Sequence, residues 1–186
     1  MDSDGSEEKH DRRFFLVIDF EANVSHAGAN DHELIEFACV LIDAESDGLV
    51  VAEFQQFVKP KRPVSAFTQQ LTGITAARVK KKGVPFAECL RRFESFCVEQ
   101  GITAQTTRSV TCGRWDLQEM LPAQLRIDNC ELPESCCGVL TSFINLKEIF
   151  SSAYLRKTGS MKDMLDHLGI PLQGRHHSGL DDCRNL

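Results

Sequence analysis

Residues 16–24 read LVIDFEANV and follow Phe14-Phe15, so an apolar run ends in two carboxylates one residue apart. Side chains of a strand alternate between faces, so Asp19 and Glu21 project the same way. At a separation of about 5 Å the two charges repel by about 3 kcal/mol at an effective dielectric of 20. A buried strand end of this kind calls for a partner: an Arg or Lys, a shared proton, or a metal ion. The alternative is a strand that ends in water with both acids solvated.

The strand pattern continues outward. Residues 34–42, LIEFACVLI, and 50–58, VVAEFQQFV, read as second and third strands beside 14–20. The link DAESDG is short and turn-like, and residues 22–33 leave no room for a crossover helix, so the sheet is expected to begin as an antiparallel three-stranded meander. After residue 60 the period changes. Phe86, Cys89, Leu90, Phe93, Phe96 and Cys97 fall at helical spacing, with Pro85 near the start. RSVTC (108–112) predicts a short strand, Leu117 to Leu125 a helix, FINL (143–146) a last strand running into a helix over 147–155. Met161 to Leu168 predicts a further helix, capped by Ser160 and ended by Gly169. The order predicts one α/β domain with a mixed sheet and helices on both faces.

Composition agrees with a globular domain. The 186 residues are 42% hydrophobic and 26% charged, enough for one sizeable core. No apolar run is long enough to span a membrane. Residues 1–12 are charged, lack an apolar segment and read as a disordered lead-in rather than a signal sequence. The eight cysteines form no C-x-x-C pair, which points to reduced thiols in an intracellular protein of cytoplasm or nucleus rather than a zinc site or disulfide framework. A net charge of −6 disfavours binding nucleic acid by bulk charge alone, although basic clusters occur at 59–63, at 78–83 and at Arg91-Arg92.

Two further acids stand at element ends. Asp116 lies where the strand of TCGRWDL gives way to a helix, a common place for a site in an α/β fold and equally a helix-capping position. In GRHHSGLDDCRNL, Ser178 and Asp181 have capping-box spacing, which leaves Asp182 in the first turn of a helix and His177 just before it. An extended loop is expected to send His176 and His177 in different directions, so that one of them faces a site. Four carboxylates brought together need cations, and two Mg2+ ions suit oxygen ligands and a phosphodiester substrate. A histidine beside them takes a proton from water at neutral pH.

These residues resemble the DEDDh group of 3′–5′ exonucleases, and within it the Eri-type exoribonucleases, the branch with the histone-mRNA 3′ exonuclease and the prion-interactor type. The matching blocks are IDFEA (18–22), HELIEF (32–37), FVKP (57–60), LTGI (71–74), VTCGRWDL (110–117), INLK (144–147) and HSGLDDCRN (177–185), in the family's order. The resemblance implies an RNase H-like fold and removal of nucleotides from single-stranded RNA 3′ ends, dependent on two Mg2+ ions that Mn2+ replaces. It implies that Asp19 bridges both metals, Glu21 and Asp182 hold one, Asp116 contributes to the other, and His177 is the general base. It implies Ala22, Leu71, Thr72, Gly73, Ile74 and Trp115 as substrate contacts; read without it, LTGI is a helix-to-turn junction with Gly73 as C-cap.

The chain also departs from the family. Ala22-Asn23-Val24 stands for Ala-Thr-Cys, Arg114 for an acid or serine beside the site, and Arg175-His176-His177 for Arg-Pro-His. The sequence ends four residues after Asp182, so the domain over 13–186 is expected to lack the end of its last helix, leaving Asp182 and His177 loosely placed. A non-catalytic RNA-binding or protein-interaction module and a DNA exonuclease of the same superfamily are the alternatives.

Overall fold

The computed structural model describes residues 13–186; the expected lead-in, 1–12, lies outside the described residues. The carboxylate-bearing strand, β1 (Phe14–Asn23), is the middle of a five-stranded sheet ordered β3-β2-β1-β4-β5. The flanking strands are β2 (Glu33–Asp43), β3 (Leu49–Phe57), β4 (Thr107–Thr111) and β5 (Phe143–Asn145). The β1–β2 and β2–β3 pairs are antiparallel and β1–β4 and β4–β5 parallel. The meander and mixed sheet are as the hydrophobic pattern predicts.

Alternation along β1 sorts its side chains into two layers. Leu16, Ile18 and Phe20 join Phe37, Cys39 and Leu41 in the main core. That core is closed by Cys89, Leu90, Phe93 and Cys97 of α3 (Phe86–Glu99), the amphipathic helix the spacing predicts. On the opposite face Val17, Ala38, Val40 and Val110 pack with Cys183 of α8 (Gly179–Asn185). Asp19 and Glu21 continue this second face beyond Val17.

Several elements escape the hydrophobic period. Helices α1 (Ala66–Thr72) and α2 (Ala76–Lys82) are seven residues each, too short for a periodic stripe to stand out. They are set by their caps: Ser65 Oγ accepts from the Thr68 amide and Thr75 from Arg78. Helix α5 (Glu134–Thr141) is likewise unpredicted. The helix expected over 117–125 is a π-helical turn, Trp115–Met120, that runs into α4 (Leu121–Asp128). Helices α6 (Leu146–Tyr154) and α7 (Met161–Leu168) match expectation, and Ser160 and Asp163 form a full capping box on α7.

The end of the chain corrects two expectations. Ser178 is the N-cap of α8 but makes no side-chain capping bond, and the Asp181 carboxylate accepts from the Arg175 amide at 3.0 Å rather than from the Ser178 amide, so no capping box forms. Nor is Asp182 loosely placed. A two-turn helix is marginal by itself, but α8 is seated on the sheet through Cys183, which is 1% exposed. An Arg184–Glu53 pair at 2.7 Å ties its far side to β3.

Candidate active site

The parallel β1–β4 register ends at Val17–Val110, so both strands deliver their following residues to one edge. That edge, the carboxyl end of parallel strands, is where α/β folds build sites. From β1 come Asp19 and Glu21, with a β-bulge between Glu21 and Ala22 that turns the strand end. After β4 the chain turns through Gly113, whose φ of 115° suits glycine, and enters the π-helical turn with Asp116. The Phe20 amide donates to Asp116 Oδ1 at 2.9 Å, which fixes that carboxylate beside β1. Asp182 comes from the first turn of α8.

Glycine 179 lets α8 approach. A Cβ there would lie 3.0 Å from Ala38 Cβ and 3.3 Å from the Asp19 carbonyl oxygen. Its amide donates to Glu36 Oε2 at 3.2 Å. Glu36 is the acid sequence reasoning missed. It is 1% exposed and sits opposite Glu21 in the β1–β2 register, a like-charge pair that destabilises a sheet on its own. Its signal was present in LIEFACVLI: one acid inside an otherwise unbroken apolar strand.

Three carboxylates, of Asp19, Glu21 and Asp182, each bring an oxygen within 4.8 Å of the other two. Burial, then Asp116, Glu21, Asp182 and Glu36, push Asp19 well above the usual carboxylate range. Burial, then Glu36, Asp182 and Asp116, raise Glu21 to about 9. Asp116 rises to about 6 through burial, held back by its bond from Phe20. Burial raises Asp182 too, against the bond from His176. Among the described residues no Lys or Arg forms an ion pair with Asp19, Glu21, Asp116 or Asp182. A hard divalent cation fits this oxygen-rich, uncompensated set.

All five predicted chemistry-bearing residues, Asp19, Glu21, Asp116, His177 and Asp182, line one cavity of about 510 Å³. Ala22, Leu71 and Trp115 line it as well. The rest of LTGI does not. Thr72 Oγ1 donates to the Thr68 carbonyl and accepts from the Ile74 amide, and Ile74 is buried with Ile35, Phe57 and Val79. Gly73, at φ 72°, is the C-cap of α1, and the group approaching it is the Arg175 guanidinium rather than open cavity. Arg175 donates to the carbonyls of Gln70 and Leu71, both at 3.2 Å, and so ties the histidine loop to the wall that carries Leu71.

The two histidines differ from expectation. His177 has a φ of 62°, which folds the loop back so that both rings reach the cavity, stacked at 4.0 Å. The His177 amide donates to Asp182 Oδ2 at 2.9 Å, and His176 Nδ1 lies 3.3 Å from Asp182 Oδ1. Burial, and then His176, hold the His177 imidazole below its ordinary value. Arg114 points away: its guanidinium is engaged by Glu148 at 2.6 Å on the surface. The cation at the cavity is Lys147, whose ammonium donates to the Gly159 carbonyl at 2.8 Å. A hollow of about 600 Å³ nearby, under Lys61 and Arg62, holds Asp31 and Glu33, but Arg62 engages both acids, so the free carboxylates are in the smaller cavity.

A mixed five-stranded sheet whose strand ends and last helix bring four acids and a histidine into one cavity defines an exonuclease domain of RNase H-like fold. The chain belongs to the exonuclease family described by the RNase_T model, which matches residues 16–186. It is 36% identical over 196 residues to ERI1 exoribonuclease 2 of Xenopus laevis, covering 94% of this chain and 28% of that protein. To ERI1 exoribonuclease 3 of Homo sapiens it is 33% identical over 180 residues, covering 93% of this chain and 51% of that protein. The chain thus spans from about a quarter to about half the length of these curated relatives. Among solved structures it is similar to the nuclease domain of 3′hExo, a DEDDh family member bound to rAMP. The TM-score is 0.83 at 28% identity, over 94% of this chain and 88% of that one. No helix of the described residues is long and apolar enough to cross a membrane.

Proposed function

We propose that this domain is a 3′–5′ exoribonuclease that hydrolyses phosphodiester bonds at the 3′ ends of single-stranded RNA, with two Mg2+ ions that Mn2+ replaces. The observation that carries the reading is the convergence of Asp19, Glu21, Asp116, Asp182 and His177 on one cavity where, among the described residues, no Lys or Arg forms an ion pair with the acids. Asp19, Glu21 and Asp182 would hold one ion, and Asp116 with Asp19 would contribute to the other. When bound, divalent cations offset the carboxylate charge and stabilise the charge that develops on the attacking and leaving oxygens. His177, whose imidazole burial and His176 hold below its ordinary value, takes a proton from the attacking water at a ring nitrogen. Ala22, Leu71 and Trp115 line the space for the terminal nucleotide, and the Trp115 ring offers a stacking face. Eight free thiols suit a reducing, intracellular compartment.

The test is a time course with 5′-labelled single-stranded RNA in Mg2+, in Mn2+ and in EDTA, beside a DNA of the same sequence. A ladder shortening from the 3′ end, absent in EDTA and in Asp19→Asn, supports the reading. RNA bound but left intact points instead to a non-catalytic module, equal cleavage of DNA to a DNA exonuclease, and a fully active Asp19→Asn removes the mechanism.

A further inference from the structure

We propose that His176, His177 and Asp182 form a second kind of cation site in the same cavity, selective for an imidazole-preferring transition metal such as Zn2+. Each of the three residues offers one donor atom, and the three atoms lie within 4.8 Å of one another. This set shares only Asp182 with the all-oxygen set of Asp19, Glu21 and Asp182. Its chemistry differs. Two imidazoles and a carboxylate are the donor set of many zinc sites, whereas Mg2+ keeps to oxygen ligands. Nitrogen donors select along the series toward Cu2+ and Zn2+.

The backbone makes the pairing possible. Adjacent histidines in extended chain point apart, but the left-handed φ of 62° at His177 brings the rings to 4.0 Å with 27° between their planes. Asp182 holds both from one side, through the His177 amide and the His176 ring. Donors about 2.1 Å from a tetrahedral ion lie about 3.4 Å apart, so the widest of these separations closes by at most about 1.4 Å. The His176 side chain, 32% exposed, has room for that rotation. The second imidazole completes the donor set: a proline at position 176 has no donor and leaves only His177 and Asp182.

Binding at this site withdraws His177 and one oxygen of Asp182 from hydrolysis. That consequence, unlike the binding itself, rests on the exoribonuclease reading. Zn2+ is titrated calorimetrically into the purified full chain in excess Mg2+, and Co2+ binding is followed by its visible absorption. Wild type is compared with His176→Asn and His176→Pro, each checked by thermal melting for a folded state, and with Asp19→Asn. Loss of an outer-shell partner alone weakens a metal site by about 10–100-fold, so loss of a ligand in either His176 variant is expected to weaken Zn2+ by at least about tenfold and to remove the Co2+ band. Asp19→Asn keeps both. The comparison also separates this site from Zn2+ held by the eight thiols, which no variant alters. Equal Zn2+ affinity in wild type and both folded His176 variants overturns the proposal, as does loss of binding in Asp19→Asn with retention in His176→Asn. Wild-type chain that binds Zn2+ in this pattern yet fails to cut RNA in Mg2+ alone refutes the exoribonuclease reading and leaves the metal site standing.

Discussion

Replacing Glu21 by glutamine is expected to stabilise the metal-free fold, and the size of the effect follows from the site. Glu21 is 6% exposed, faces Glu36 across the β1–β2 pair, and has its carboxyl raised from 4.5 to about 9 by burial and the neighbouring acids. Between those two values the folded chain keeps a proton that the unfolded chain has released. Folding is therefore favoured at the acidic end of the window, and stability falls as pH rises through it. By pH 7 about 2.5 pH units of the window have been crossed, which at about 1.36 kcal/mol per unit is about 3 kcal/mol. Glutamine keeps the shape and has no proton to lose. For a domain of this size about 2–4 °C of Tm accompanies each kcal/mol, so Glu21→Gln is expected to melt about 6–12 °C above wild type at pH 7 in EDTA. The gain shrinks as the pH approaches 4.5. Melting curves followed by circular dichroism across that range provide the assay. Mg2+ or Mn2+ is expected to raise wild type more than the variant, since a ligand for native protein alone adds about 2.7 kcal/mol at 100 times its Kd. A Tm difference that is negative, or constant across the pH range, would refute the claim that uncompensated carboxylates strain this cavity.

Two further substitutions probe the surroundings of the site. Gly73→Ala drives a Cβ into the Arg175 guanidinium at a φ of 72°, so it is expected to cost about 1–3 kcal/mol in urea unfolding; no change would mean that the Arg175 contact is not held in solution. Arg114→Gln removes an exposed pair with Glu148, so the urea midpoint is expected to stay unchanged and RNA cleavage to be preserved; a several-fold loss of kcat/KM would instead put Arg114 on the substrate.

Much of the architecture was legible because long strands and long helices write their period into the chain. The run 14–20, the buried LIEFACVLI and the stripe of α3 each report which face is covered, and burial is what selects such patterns. The elements not legible were those whose stability is local or borrowed: α2, set by its cap, α5, and the π-helical turn at Trp115, while of α1 only the end at Gly73 is legible. Among candidate site residues, the family resemblance groups Thr72, Gly73 and Ile74 with Leu71 as one block. A helix C-terminus sends neighbouring side chains in different directions, and only Leu71 reaches the cavity.

By itself the sequence determined which groups carry charge at element ends: Asp19 and Glu21 on one strand face, Asp116 after a second strand, His177 and Asp182 at the start of the last helix. Spacing of two along a strand makes the first pair converge in any fold that keeps the strand. Only the tertiary structure decided that Glu36 faces Glu21, that Gly179 seats α8 against Ala38, that Arg114 turns to Glu148, and that His176 stacks on His177. Those outcomes depend on cross-strand register, on close backbone approach and on a single positive φ. They are set by contacts between residues far apart in the chain, or by a torsion no neighbouring residue type demands, and a one-dimensional pattern does not encode them.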